Sequence, residues 1–296
     1  MRKQVLDFVI IGAQKAGTTS LFQYMRGHPQ LYMPPEKEAP YFNREDRMAQ
    51  GWQWYLQEFF GEAPEDRLWG KATPDYMGDT RIPARIHAVL PDARLLAILR
   101  NPIDRAHSDY MMNLRRGTEQ RSFGQVVDQL LDEKALSRER NAPSPENGYM
   151  VRGEYGRILR VYVAEFSREQ IAVHFVDRLQ SDALGLVREA FEFLGVDPGY
   201  VPDNLGTVYH RGGARARVPL AFSLRRRSWA RTTWHVLPAK VRRRLLYWFD
   251  QWNVKGDAAA RPLEPAVREK LIAHFASDVY LLTDLLGAQP PWGDWR

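Results

Sequence analysis

Residues 8–21, Phe-Val-Ile-Ile-Gly-Ala-Gln-Lys-Ala-Gly-Thr-Thr-Ser-Leu, constrain the fold more than any other stretch of the chain. The apolar run reads as a buried strand, Gly12 to Gly17 as a tight loop, and Thr18 onward as the start of a helix. A helix start that follows a glycine loop is a ready anion site: the amides of Ala16, Gly17, Thr18 and Thr19 are free, the helix dipole favours negative charge, and the threonine hydroxyls add donors. The loop departs from the nucleotide-triphosphatase order G-x-x-x-x-G-K-[ST], in which the lysine after the second glycine reaches the β/γ-phosphates and the next hydroxyl holds magnesium. Gly12 and Gly17 keep the spacing, but Thr18 occupies the lysine position and Lys15 lies inside the loop. The predicted ligand is therefore a phosphate-like group handled without ordinary ATP chemistry; the plainer alternative is a structural strand-to-helix turn.

Further strand and helix patterns alternate after this unit. Arg94 to Leu99 reads as an apolar strand followed by a helix from about Pro102 to Arg115. A helix is expected near Glu154 to Phe166, a strand over Ile171 to Val176, one helix near Gln180 to Leu194, and a last amphipathic helix from about Pro265 to Leu286. This alternation predicts an α/β fold, a parallel sheet with helices on both faces plus C-terminal helices. At 296 residues a single domain over 1–296 is expected, with 218–262 a basic helical excursion within it. Ser137 to Gly148 is polar and turn-rich and is expected to be a mobile loop, and Val254 to Pro262 a short linker.

In open α/β sheets ligands gather at the carboxyl ends of strands, so Arg100, leaving a buried strand, and Ser108, two turns along the next helix, are predicted to meet the glycine loop and bind a phosphate there. Arg100 could instead pair with a structural carboxylate, and Arg105 and His107 read as solvated or packing residues. Charge agrees with an anionic partner: the formal net charge is +6 and the pI near 9.5. Zero cysteines exclude disulfides and thiolate metal sites. The opening Met-Arg-Lys-Gln carries no apolar leader and no later segment offers the ~20 apolar residues of a spanning helix, so a cytoplasmic, soluble protein is expected.

The two phosphate-binding elements together resemble the 5′-phosphosulfate loop and the 3′-phosphate motif of sulfotransferases that use 3′-phosphoadenosine 5′-phosphosulfate (PAPS). The resemblance extends to Pro34-Pro-Glu-Lys-Glu38-Ala-Pro-Tyr-Phe42, to Gly70-Lys-Ala-Thr-Pro-Asp-Tyr76, to Tyr155 with its following helix, and to Asp278-Val-Tyr-Leu-Leu-Thr-Asp-Leu-Leu-Gly287. It is closest to the heparan-sulfate-type and bacterial glycan or glycolipid branch. It implies Lys15 against the bridging and terminal oxygens of the phosphosulfate, Gly17, Thr18, Thr19 and Ser20 around the 5′-phosphate, Arg100 and Ser108 on the 3′-phosphate, and Glu38 as general base. It also implies that His210-Arg-Gly-Gly-Ala-Arg215-Ala-Arg217 closes over the nucleotide, making Arg211, Gly212, Gly213 and Arg215 donor contacts, although Arg-Gly-Gly stands where the heparan enzymes show Lys-Gly-Arg. Lys71-Ala72 departs from the family's Glu-Lys, so Lys71, Tyr76 and Tyr155 are carried only as acceptor contacts.

The implied activity is transfer of sulfuryl from PAPS, with 3′,5′-adenosine bisphosphate as product and no metal, to a hydroxyl, less readily an amine, of a glycan or glycolipid. No nucleic-acid partner is expected, and the oligomeric state is open. Arg211 to Arg244 interleaves arginines with Trp229, Trp234, Tyr247 and Trp248, a pattern that suits docking on the main domain, an anionic glycan, or peripheral membrane contact over 218–250. Two other readings are a P-loop kinase, for which Val173-His-Phe-Val-Asp177 imitates a magnesium-holding strand although Asp177 is equally placed to cap the next helix, and a non-catalytic module that binds anionic surfaces.

Overall fold

The computed structural model describes residues 4–142, 148–207, 209, 214–216, 254–257 and 262–295, the segments 214–216 and 254–257 as backbone alone. Strands β1 (Phe8–Gly12), β2 (Leu31–Tyr32), β3 (Leu68–Ala72), β4 (Arg94–Leu99) and β5 (Ile171–Phe175) form one parallel sheet in the order β2-β3-β1-β4-β5. β1 is buried along its whole length, as the apolar run requires. Alternate residues serve opposite faces. Val9, Ile11, Leu95, Ala97 and Leu99 join one core, and Phe8, Ile10, Leu96 and Ile98 join the other.

The first core is covered by α3 (Trp52–Phe60), α4 (Ile82–Val89), α5 (Pro102–Arg116), α6 (Phe123–Leu130), α8 (Tyr155–Glu165) and the long helix α11 (Pro265–Leu286); the second by α1 (Thr18–Met25) and α10 (Ala183–Leu194). Short α2 (Glu45–Met48), α7 (Glu133–Asn141) and α9 (Val176–Ser181) complete the described helices. The chain leaves β1 for α1 on one face and leaves neighbouring β4 for α5 on the other, so the carboxyl ends of these two strands open a crevice at the point where the topology switches. The pairing register slips between Ile10 and Gly12, where the loop peels away, and the Ala13 amide donates to the Ile98 carbonyl at 2.8 Å.

β3 escapes a sequence reading because glycine and lysine interrupt its apolar pattern. Gly70 lies opposite Phe8, and a Cβ there would stand 2.0 Å from the Phe8 ring, so the glycine makes room for the aromatic. The 180–194 region is two helices: Asp182 breaks the run and caps α10 by accepting from the Gly185 amide at 2.9 Å. Asp177 sits in the first turn of α9 and makes no cap bond there. The expected loop from 137 is helical through Asn141, because Asp132 caps α7 on the amides of Lys134 and Ala135. Val254–Asp257, expected as linker, is strand β7, paired antiparallel with β6 (Ala214–Ala216) beside α5. The rest of the basic excursion, including 218–250, lies outside the described residues.

Candidate active site

Lys15 and Gly17 both adopt left-handed backbone, with φ of 70° and 92°. That geometry is ordinary for glycine at the N-cap of α1 and uncommon for lysine, and it marks the loop as a place where function outweighs local preference. Ala16, Thr18 and Ser20 are buried, Thr19 half so. The Lys15 ammonium has one polar contact, the Met112 sulfur at 3.7 Å, and no carboxylate within ion-pair distance among the described residues. Burial pulls its pKa down to about 8; Asp109 opposes the shift, and Arg115, Arg116 and Arg100 reinforce it.

Arg100 emerges from β4 as expected and reaches back to the loop, donating to the Lys15 carbonyl at 3.4 Å. It pairs with no carboxylate among the described residues, so its cationic fork is available. Asn101 fixes the start of α5 by accepting from the amides of Ile103 and Asp104, and Ser108 stands half-buried further along that helix. Arg105, expected to be solvated or packing, is fully buried and pairs with Asp109 at 3.2 Å. Asp109 also lies 3.9 Å from Arg152, whose guanidinium donates to Gln14 of the glycine loop at 2.7 Å. A chain of charges thus underpins the loop from below.

The segment 36–42 forms the opposite wall, and side chains from five elements hold its backbone. Lys71 donates to the Glu36 carbonyl, Tyr55 to Ala39 at 2.8 Å, Arg47 to Pro40 at 2.8 Å and Arg85 to Phe42 at 2.8 Å. The Tyr76 hydroxyl accepts from the amides of Tyr41 and Phe42 at 2.9 and 3.4 Å. So braced, the segment points Lys37 at the glycine loop: its ammonium donates to Thr19 Oγ1 at 2.9 Å, Thr18 Oγ1 at 3.3 Å and Glu38 Oε1 at 3.2 Å. The Glu38 side chain stays 57% exposed.

The remaining residues singled out from the sequence fall elsewhere. Lys71, Tyr76 and Tyr155 are buried; Lys71 lies over the Phe59 ring, and burial pushes the Tyr155 hydroxyl up to about 12. Tyr76 and Tyr155 belong to the main core, and Lys71 stands behind the 36–42 segment. Ser20 Oγ accepts from the Tyr209 amide at 3.4 Å, while Tyr24 donates to the Thr207 carbonyl and Asn204 to the Gln23 carbonyl, tying 204–209 to α1. Arg211, Gly212 and Gly213 lie outside the described residues, and Arg215 is described only as backbone of β6.

Sequence reasoning missed Lys37 and Asp75 as site residues. The signal for Lys37 was available: Thr18 leaves the loop short of one cation. Asp75, in the turn after β3, carries a buried Oδ1 without a hydrogen-bond partner among the described residues; burial raises its pKa, with Arg152, Glu38, Asp109 and Lys37 acting on it in turn, the two cations opposing the shift and the two carboxylates adding to it. These charges gather around one crevice.

A mutational consequence follows from the brace. Tyr76→Phe leaves two buried amides unsatisfied, so unfolding free energy is expected to fall by about 1–3 kcal/mol in urea titrations. The segment carrying Lys37 and Glu38 loses an anchor with it, so the Lys37 contacts to Thr18 and Thr19 should loosen as well.

A glycine loop with its lysine displaced, an arginine that pairs with no carboxylate among the described residues at the neighbouring strand end, and an exposed carboxylate on the facing wall meet at one crevice of this α/β fold. Residues 6–209 match the family described as Sulfotransferase domain, and the chain belongs to that family. The heparan sulfate glucosamine 3-O-sulfotransferase 3A1 of Mus musculus is 29% identical over 196 residues, 66% of this chain and 47% of that protein. The membrane-associated sulfotransferase kil1 of Dictyostelium discoideum is 34% identical over 111 residues, 37% of this chain and 23% of that protein. The chain thus spans about half or less of these relatives' length. A sulfotransferase from Alicyclobacillus acidocaldarius superposes with a TM-score of 0.68 at 27% identity, covering 96% of this chain and 97% of that one. The fold is the P-loop-like α/β fold of sulfotransferases. Among the described residues no helix is long and apolar enough to cross a membrane, and no group of three or more His, Asp or Glu side chains could hold a metal ion.

Proposed function

We propose that this chain, as one domain, transfers the sulfuryl group of PAPS to a hydroxyl of a glycan or glycolipid, with 3′,5′-adenosine bisphosphate as the leaving product. The observation that carries the reading is the pair of unneutralised cations at the crevice, Lys15 and Arg100, on adjoining strand ends and without carboxylate partners among the described residues. Two such cations suit a donor bearing phosphate at both its 3′ and 5′ positions, and the residues present fit that group. The loop amides from Ala16 to Thr19 and the α1 dipole hold the 5′ end, and Arg100 with Ser108 holds the 3′-phosphate.

Chemistry then needs little beyond positioning and charge. Lys15 stabilises the negative charge that develops on the leaving phosphate oxygen as the sulfur–oxygen bond breaks. Glu38 takes the proton of the acceptor hydroxyl as its oxygen attacks sulfur in line, and its exposure lets a bulky acceptor approach. A sulfuryl group bears less charge than a terminal phosphoryl group, so these residues serve without magnesium. Threonine at position 18 argues against the kinase reading.

The glycan-type acceptor and a cytoplasmic setting belong to this proposal; the name of the mouse relative supports the first, being that of an enzyme of heparan sulfate. The test is incubation with radiosulfur-labelled PAPS and a panel of desulfated glycosaminoglycans, neutral glycolipids and small phenols. Label in the glycan or glycolipid fraction is expected; label confined to phenols would remove the acceptor assignment.

Binding should also depend on pH. Because the Lys15 pKa is lowered to about 8, the free protein loses this charge as pH rises through that value. Affinity for 3′,5′-adenosine bisphosphate is expected to be highest below pH 8 and to fall above it, with proton uptake on binding. Calorimetry in buffers of different ionisation enthalpy reads both effects, and Lys15→Ala should reduce the uptake.

A further inference from the structure

Lys37 has a more specific place than the loop around it suggests. Its ammonium rests on the hydroxyls of Thr18 and Thr19, at 3.3 and 2.9 Å, over the helix start where the sequence lacks its expected lysine. Its one carboxylate contact among the described residues is Glu38 at 3.2 Å, a side chain that is itself largely in solvent, whereas the lysine side chain is 16% exposed. Burial lowers its pKa. A desolvated ammonium held against neutral hydroxyls is poorly compensated, and an anion placed among those donors would complete its surroundings.

We propose that Lys37 is a donor-binding residue: it supplies from the 36–42 wall the cation absent at position 18, contacts the 5′-phosphosulfate of the donor, and links occupancy of that position to Glu38. This rests on the reading of the chain as a PAPS-dependent sulfotransferase. Before the donor arrives, Lys37 donates to Glu38. Once an anion occupies the cradle the ammonium has a stronger partner, and the Glu38 carboxylate is left to accept the acceptor proton. The brace makes this arrangement a built feature: Lys71, Tyr55, Arg47, Tyr76 and Arg85 fix the backbone on either side of Lys37 and Glu38, so the lysine reaches the threonines from an anchored position.

The experiment compares 3′,5′-adenosine bisphosphate with adenosine 3′-monophosphate by calorimetry, metal-free, on wild type, Lys37→Ala and Lys37→Arg. Wild type is expected to prefer the bisphosphate. In Lys37→Ala the bisphosphate should weaken by roughly tenfold or more, the scale of one charge-assisted hydrogen bond, while the 3′-monophosphate is unchanged. Lys37→Arg should recover much of the preference. Equal weakening of both ligands would mark a general structural defect and overturn the assignment, as would an unchanged preference in Lys37→Ala. If wild type itself shows no metal-free bisphosphate binding, the sulfotransferase reading fails instead, so the two failures are distinguishable. Thermal melting of each variant accompanies the titrations, and a Lys37→Ala protein that melts with wild type yet loses only the 5′-dependent affinity is the supporting result.

Discussion

Replacing Glu38 with glutamine is expected to lower turnover by about 10²–10⁴-fold, the usual contribution of a positioned general base, while leaving 3′,5′-adenosine bisphosphate affinity near the wild-type value. The carboxylate is exposed, so its loss removes no packing, and its one charged contact among the described residues is Lys37. Glutamine keeps the shape and can accept a hydrogen bond from that lysine but cannot take the acceptor proton. Steady-state assays with labelled PAPS, paired with calorimetry, separate the two quantities. Turnover within a few-fold of wild type would show that another group, or water, takes the proton; Asp75, with its raised pKa nearby, would be the next candidate.

Removing Lys15 should be comparably severe for a different reason. Lys15→Ala deletes the cation aimed at the leaving phosphate oxygen, and the loss of one preorganised donor to a developing charge costs about 10²–10³ in kcat. Bisphosphate binding should also weaken, since the product carries the charge the transition state is developing, so kcat and affinity fall together. That joint loss distinguishes Lys15 from Glu38. The variant is expected to fold, because the Lys15 side chain makes no ion pair among the described residues and its contact is a methionine sulfur. A variant with normal kcat would place the charge stabilisation on Lys37 or Arg100 instead.

The parts of this molecule legible in its sequence are those coded by continuous local patterns. β1, the glycine loop and α1 follow from one apolar run and two glycines, and β4 with α5 from a second run ended by Arg100 and Pro102. Helix α11 runs over Pro265–Leu286 as its periodicity predicts. What was not legible depends on partners distant in sequence. β3 is hidden by Gly70 and Lys71, residues explained only by the Phe8 ring beside one and the Glu36 carbonyl on the other. Lys37 reads as part of an exposed charged turn until Tyr55, Lys71, Tyr76 and Arg85, contributed by separate elements, are seen to anchor that turn against the loop.

The central claim is that the glycine loop and Arg100 form a site for a 3′,5′-bisphosphorylated nucleotide that works without a divalent metal. Calorimetric titration with 3′,5′-adenosine bisphosphate beside ATP, in chelator and then in magnesium, tests it most directly. Metal-independent binding of the bisphosphate in preference to ATP is the predicted result; tight magnesium-dependent binding of ATP with no preference for the bisphosphate would contradict it.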